Sequence, residues 1–394
     1  MQERFDVVIV GGAVVGSAAA YFLGAESARG GFGGSVLVIE RDLSFRDCAS
    51  ARSLASIRHQ FSVAENIRMS MFGTEFLRQP EVLAVGGDVP AIGLREDGYL
   101  FLAGAGGREQ LACNHTLQCA EGADIAWLDT AALALRFPWL RSDDVAAGTL
   151  GLSGEGWIDA HALMHGLRRK AVALGAQVRE AAVVALEREG AHITAVRLAD
   201  GSRIGCGTVI NAAGTGAAAL AATAGITLPV RARKRCVFHF KSPALLPRCP
   251  LVVDPSGLYF RPEGGGFLCG IAPPEDDDPD CDDFEVPLAL FEDQLWPLLA
   301  ARVPGFEAAR LVSAWAGHYD VNTLDHNVIL GPHPEVDNLL FANGFSGHGV
   351  QQAPAVGRAL AEWVMHGGWR TLDLSALGWR RVLEGRPLRE LNVV

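Results

Sequence analysis

The chain has 394 residues, 49% of them hydrophobic and 20% charged, which supplies apolar material for a sizeable core. That excludes a disordered chain, a disulfide-stapled miniprotein and a short binding module, and a net charge of -11 argues against a nucleic-acid partner. The eight cysteines form no C-x-x-C pair and several sit in apolar runs, a pattern that fits a reducing compartment and a soluble cytoplasmic protein.

Val7-Val8-Ile9-Val10 reads as a parallel strand buried on both faces. It runs into Gly11, Gly12, Ala13, Val14, Val15 and Gly16, followed by small and apolar residues through Leu23 at helical length. A second apolar strand, Val36 to Ile39, ends at Glu40, which stands 24 residues after Gly16 and just before Arg41. Strand, glycine turn, helix, strand and acid together predict a dinucleotide site. Gly11 permits the tight turn, the helix N-terminus offers free N–H groups to a pyrophosphate, and Glu40 can accept from ribose hydroxyls. Ala13 replaces the middle glycine of G-x-G-x-x-G, and the motif alone does not choose between NAD and FAD. Asp6 and the glycines interrupt this apolar stretch, so no transmembrane segment is expected.

Between Ser50 and Phe61, small polar residues including Ser53 and Ser56 alternate with Arg52 and Arg58, which suits phosphate or carboxylate contacts. Ser62 to Glu65 reads as a capping box opening a helix. A further helix is predicted from Asp159 to Gly175, then strands around 183–186 and 193–198. Val209 to Gly214 reads as a buried strand ending at a glycine turn, and the period-two pattern from Val230 to Gly270 predicts antiparallel sheet. Residues 275–285 hold eight acids and no bases, which predicts a solvated loop, and without a spaced D-x-D-x-D-G pattern no metal is expected. Leu339 to Ala342 is a strand, residues 343–349 form a glycine-rich turn, and Pro354 to Met365 reads as a helix with proline in its first turn. The expected fold class is α/β. A discontinuous Rossmann-like nucleotide domain takes residues 1–85, 150–225 and 312–394, and an α+β substrate domain with a mainly antiparallel sheet takes 86–149 and 226–311.

These pieces in this order resemble the D-amino-acid oxidase and sarcosine oxidase superfamily of FAD enzymes over nearly the whole chain. The carriers are the amino-terminal fingerprint with Glu40, the Asn211-Ala212-Ala213-Gly214 strand end, and Gly344-Phe345-Ser346-Gly347-His348-Gly349. The run Ser56 to Ser62 with Phe345 to Pro354 is similar to one branch. That branch holds the mitochondrial FAD-dependent oxidoreductase-domain protein implicated in complex I assembly, and relatives of dimethylglycine and sarcosine dehydrogenases.

The resemblance implies FAD, held at Gly11 to Gly16, Glu40, Arg41, Ser53, Ser56, Val184, Ala212, Ala213 and Gly214. It also implies contacts from Gly344, Phe345, Ser346, Gly347, His348, Gly349, Val350 and Gln351. Backbone N–H groups and the helix dipole around Gly347 to Val350 would stabilise the charge that a reduced flavin develops at N1 and O2. Arg58 corresponds to an arginine that binds substrate carboxylate, His348 to the motif histidine near flavin and substrate, and Gln351 to a lysine that also binds carboxylate. Tyr259 and Arg261 lie on the segment that faces the flavin in relatives. Each has an ordinary alternative: His348 bracing its turn, Arg58 in a phosphate or structural ion pair, Tyr259 and Arg261 as sheet residues.

Gly317 replaces the cysteine that carries a covalent flavin, and the Thr-Trp-His attachment run is missing near Ser53, so the FAD is expected to be non-covalent. Leu268 stands where a lysine promotes reaction with oxygen, which leaves either oxygen or a respiratory, quinone-linked carrier as acceptor. The activity implied is oxidation of the C–N bond of an amino acid or N-alkylated amine by hydride transfer to flavin N5, giving an imine that hydrolyses. Two alternatives stay open: a 2-hydroxy-acid dehydrogenase using His348 or His318 as base, and a flavin-bound assembly protein with little turnover.

Overall fold

The computed structural model describes residues 3–391 and arranges them around two eight-stranded sheets. The chain opens with β1 (Arg4–Val10), α1 (Val14–Ala28) and β2 (Val36–Glu40). After α2 (Ala64–Leu77) it crosses to the second sheet for β3 (Tyr99–Ala103), β4 (Ile125–Leu128) and β5 (Ala147–Gly151). It returns through α3 (Ala160–Ala173) to β6 (Gln177–Glu180), the hairpin β7 (Val183–Glu189) and β8 (His192–Leu198), and β9 (Arg203–Asn211). A second crossing supplies β10 (Val230–Lys241), β11 (Leu251–Val253), β12 (Tyr259–Glu263), β13 (Gly266–Gly270) and β14 (Arg310–Asn322). Finally β15 (Ile329–His333), β16 (Val336–Asn343) and α4 (Gly349–His366) rejoin the first sheet.

The first sheet runs β15-β16-β9-β1-β2-β6, with β16, β9, β1, β2 and β6 parallel. Val7 and Ile9 are buried under α1, α3 and α4, and Val8 on the opposite face under the β7–β8 hairpin and the short helix of residues 217–222. Gly357 of α4 allows that helix to touch α1: a Cβ there would fall 2.6 Å from the Cβ of Ala18. Asp159 caps α3 as expected, accepting the Ala162 N–H at 2.9 Å. The second sheet runs β14-β10-β13-β12-β11-β3-β5-β4, antiparallel except where β11 meets β3. Its far face packs an aromatic core around Phe238, Phe240, Phe260 and Phe306, which leaves the near face to roof the site.

Four expectations change. β14 pairs with β10 from Asn322 opposite Val230 to Arg310 opposite Lys241, so a boundary at 312 falls inside a strand of the antiparallel sheet, and a boundary at 150 falls inside β5. α4 begins at Gly349, not Pro354, which sits inside the helix where its missing N–H costs one backbone bond. Ser62 does not cap α2; its hydroxyl and backbone N–H both donate to Glu390, at 2.7 and 2.6 Å. The acidic stretch is not simply solvated. Asp278 pairs with Arg235, Asp280 with Arg233 and Asp283 with Lys234, so it lies strapped across the basic residues of β10. Among the described residues no helix is long and apolar enough to cross a membrane.

Candidate active site

An elongated cavity of about 310 Å³ opens at the C-terminal ends of β1, β2 and β9, under the second sheet. This is the switch point where a doubly wound sheet takes its ligand. Gly11 makes the first turn with φ +100°, and a Cβ there would fall 2.3 Å from the Ala212 carbonyl oxygen. Gly16 is equally constrained, since its Cβ would lie 1.9 Å from the Gly11 oxygen. Ala13, Val14 and Val15 line the cavity at the start of α1, whose first turn has no side-chain cap and no acid. The methyl of Ala13 is therefore compatible with an open anion site at that helix end.

Glu40 is fixed by the Gly12 N–H at 2.7 Å and the Asp42 N–H at 3.1 Å, leaving acceptor capacity at the cavity wall. Arg41, Ser53, Ala212, Ala213 and Gly214 line the same space, whereas Gly12 and Gly16 pack behind it. Val183 lines the cavity and Val184 does not: Val184 is 47% exposed, and a one-residue offset along a strand reverses the side chain. Ser56 does not line the cavity; it lies beside the Tyr99 phenol. Asp47, Cys48 and Ala49 also line the cavity and carry no motif that would have announced them.

The carboxyl end of the site is built on Asp320. This buried side chain accepts the Gly344 N–H at 2.7 Å, and its backbone oxygen accepts the Ser346 N–H at 3.1 Å. Burial pushes the carboxyl pKa up to about 6 against the Gly344 and Phe345 N–H groups. Ser346, at φ +51°, accepts the Asn322 N–H on its hydroxyl at 3.1 Å. The turn so held delivers Phe345, Gly347, Gly349 and Val350 to the cavity, with His348 as the N-cap of α4 and no side chain closing the helix end. Gly347 lies flat on Tyr319, whose ring would be 2.4 Å from any Cβ there.

Next to this turn, aromatic rings gather around Arg58. Arg58 projects over Phe61, Phe101 and Tyr99, with its guanidinium carbon 4.6, 5.3 and 5.8 Å from the ring centres. Its Nη2 lies 2.9 Å from His348 Nε2, and its buried Nε has no partner among the described residues. Burial and the Arg58 charge pull the His348 pKa down to about 3. Gln351 is spoken for: its Oε1 accepts the Arg58 backbone N–H at 2.9 Å, so it positions the arginine. Behind the same loop, buried Glu155 accepts N–H groups from His59 at 2.5 Å and Gln60 at 3.1 Å, and burial pushes its pKa up to about 7.

Tyr259 packs against Gly270 of β13 and Tyr319 against Gly347, both with phenols raised by burial. Arg261 is committed at both terminal nitrogens, although its buried Nε, like that of Arg58, has no partner among the described residues. Its Nη2 donates to the Leu54 carbonyl at 3.1 Å, its Nη1 donates to Pro262 and pairs with Glu263, and it stacks on Trp157. Leu268 is buried in β13, opposite Arg261.

The FAD dependent oxidoreductase family profile matches residues 6–363. FAD-dependent oxidoreductase domain-containing protein 1 of Xenopus laevis is 39% identical over 429 residues, covering 100% of this chain and 85% of its own length. Glycine oxidase of Geobacillus kaustophilus (strain HTA426) is 27% identical, covering 92% and 94%. Among solved structures, L-proline dehydrogenase from P. horikoshii superposes with a TM-score of 0.85 at 23% identity, covering 98% of this chain and 100% of that one.

Proposed function

The chain belongs to the FAD dependent oxidoreductase family, and from that premise we propose that it oxidises the C–N bond of a carboxylate-bearing amine, an amino acid or N-alkylated amino acid, to an imine that water then hydrolyses. The cavity residues fit FAD: two helix N-termini without side-chain caps and the fixed Glu40 answer a pyrophosphate, an electron-rich ring and a ribose. When bound, FAD supplies the two-electron acceptor.

The observation that carries the reading is Arg58, a guanidinium boxed by three aromatic rings with a buried donor unmatched. An arginine so placed is a receptor for a carboxylate. Its charge also disfavours an ammonium beside it, so a substrate amine is held in the neutral form from which electrons leave. Phe61, Tyr99 and Phe101 exclude water while the C–H bond is oriented. The similarity to glycine oxidase supports an amino-acid substrate.

A hydroxy acid would need a base. His348 Nε2 is taken by Arg58, and His318 Nε2 donates to the Asp283 carbonyl at 2.8 Å. The histidine beside Arg58 is thereby committed, whereas His318 keeps its Nδ1 lone pair; a hydroxy acid would have to use His318, and the amine, which needs no such base, is favoured beside Arg58. The test is an anaerobic titration of the holoenzyme's visible spectrum with pools of N-methyl amino acids, D- and L-amino acids and 2-hydroxy acids. Bleaching by an amine pool is expected; bleaching by hydroxy acids alone would sink the reading.

A further inference from the structure

Arg235 stands on the roof beside Tyr319, a residue of the cofactor cavity, but outside the reading above. It lies on β10 opposite Gly317, its guanidinium carbon 5.4 Å from the centre of the Tyr319 ring. Arg58 reaches the same tyrosine through the glycine turn: it lies 2.9 Å from His348 Nε2, and the neighbouring Gly347 packs on the Tyr319 ring. Arg235 directly, and Arg58 by way of the turn, therefore both border Tyr319. Arg58 keeps a donor unmatched, whereas Arg235 holds a carboxylate already. Asp278 grips it with both oxygens, at 2.8 and 2.7 Å, and the two side chains are only 16% and 13% exposed.

That carboxylate comes from the acidic strap. The strap is tied down beyond it by Asp280 to Arg233, Asp283 to Lys234 and the Cys281 N–H to the Ala232 carbonyl at 3.1 Å. Its Phe284 is wedged between the Arg52 guanidinium, 4.2 Å away, and the His318 ring, 4.4 Å away. His318 and Tyr319 both line the cofactor cavity, so the strap closes over the rim of the site.

We propose that Arg235 is a specificity residue for a second acidic group on the substrate, and that Asp278 is the internal carboxylate that such a substrate displaces. The inference rests on the amine-oxidation reading and narrows it to N-substituted amino acids carrying two carboxylates, one for Arg58 and one for Arg235. Exchanging one bidentate carboxylate for another leaves the guanidinium paired throughout, which avoids the penalty of baring a hidden charge. Asp278 has the advantage of tethering, so it rejects monocarboxylates, which gain nothing by displacing it.

The test is calorimetric titration of the FAD-loaded protein with glutarate and with butyrate, which requires no turnover. Asp278→Ala vacates Arg235 and raises the ratio of glutarate to butyrate affinity on the order of tenfold, while Arg235→Met lowers it by a similar factor. Asp280→Asn loosens the strap at Arg233 without touching Arg235 and leaves the ratio where it was. A ratio that moves as much in Asp280→Asn as in Asp278→Ala, or in neither Asp278→Ala nor Arg235→Met, overturns the role of Arg235 and leaves the Arg58 reading standing. Failure of the unaltered protein to bind either acid overturns both.

Discussion

Arg58 Nη2 and His348 Nε2 lie 2.9 Å apart, and this pair fixes the protonation of the histidine. A guanidinium can only donate, so Nε2 accepts and the ring's proton resides on Nδ1. Burial first, and the Arg58 charge second, hold the imidazole neutral down to about pH 3. His348 is then a fixed acceptor that aims Arg58, not a group that titrates during turnover.

The pH profile follows. His348 is expected to add no inflection to flavin reduction between pH 5 and 9; the groups that titrate there are Asp320 at about 6, Glu155 at about 7 and the substrate amine. Arg58→Met removes the nearby charge while burial remains, so the His348 pKa climbs from about 3 toward 6.5 without reaching it. NMR titration of ring-labelled histidine reads this directly; an unchanged His348 value in the variant would contradict the coupling.

Arg58→Lys keeps the charge and loses the fork. The expected result is a KM for carboxylate-bearing amines raised ten- to a hundredfold, roughly 1.5–3 kcal/mol, with a smaller change in kcat. Steady-state kinetics with a decarboxylated analogue supplies the contrast. If Arg58 reads the carboxylate, the analogue's constants barely move between the two proteins.

Glu155 makes stability depend on pH. Its pKa is raised from 4.5 to about 7 in the folded chain, so it contributes stability fully below 4.5, and that contribution is lost as pH rises through about 7. His59, which burial pulls down to about 4, tilts the curve the other way, but it is common to wild type and Glu155→Gln. The difference between the two proteins therefore isolates Glu155. Glu155→Gln is expected to gain Tm relative to wild type between pH 5 and 8, on the order of 3 kcal/mol at the upper end. Parallel Tm curves across that range would show that the three N–H donors on the carboxylate outweigh its burial.

Gly317 bears on how the flavin is held. A Cβ at that position would already sit 3.0 Å from the Cβ of Arg52, so the backbone there is closely covered as well as lacking a thiol. Acid precipitation should leave all of the flavin in the supernatant. Flavin fluorescence retained on the pellet would refute this.

The nucleotide half of the fold was legible because its signals are local: a β-branched run, a glycine turn and an acid one strand away all lie within 40 residues. The failures share a cause, which is tertiary competition. Ser62 turns to Glu390, 328 residues away, instead of capping its own helix. α4 starts early because the turn held by Asp320, not the proline, sets its first residue. Asp320 and Glu155 are single acids with no pattern around them, and only folding shows that each is buried against backbone N–H groups. The acidic stretch reads as solvated until the four basic residues from Arg231 to Arg235 are seen to lie under it.

Gly347 offers the sharpest check on the cofactor end. Its φ of +99° disfavours any side chain, and a Cβ there would fall 2.4 Å from the Tyr319 ring, so Gly347→Ala must displace either the ring or the turn. Displacing the turn re-aims the first N–H groups of α4, the feature expected to answer negative charge on reduced flavin. The two sheets do not depend on this residue, so the variant should fold and retain little FAD. The flavin-to-protein absorbance ratio reads retention, and circular dichroism reads the fold. Adding Tyr319→Ala removes the clash but not the backbone strain, so the double variant should recover part of the FAD and not all of it. A Gly347→Ala protein that keeps a full complement of flavin, with an unaltered Tm rise on adding FAD, would show that this helix end is not part of the cofactor site.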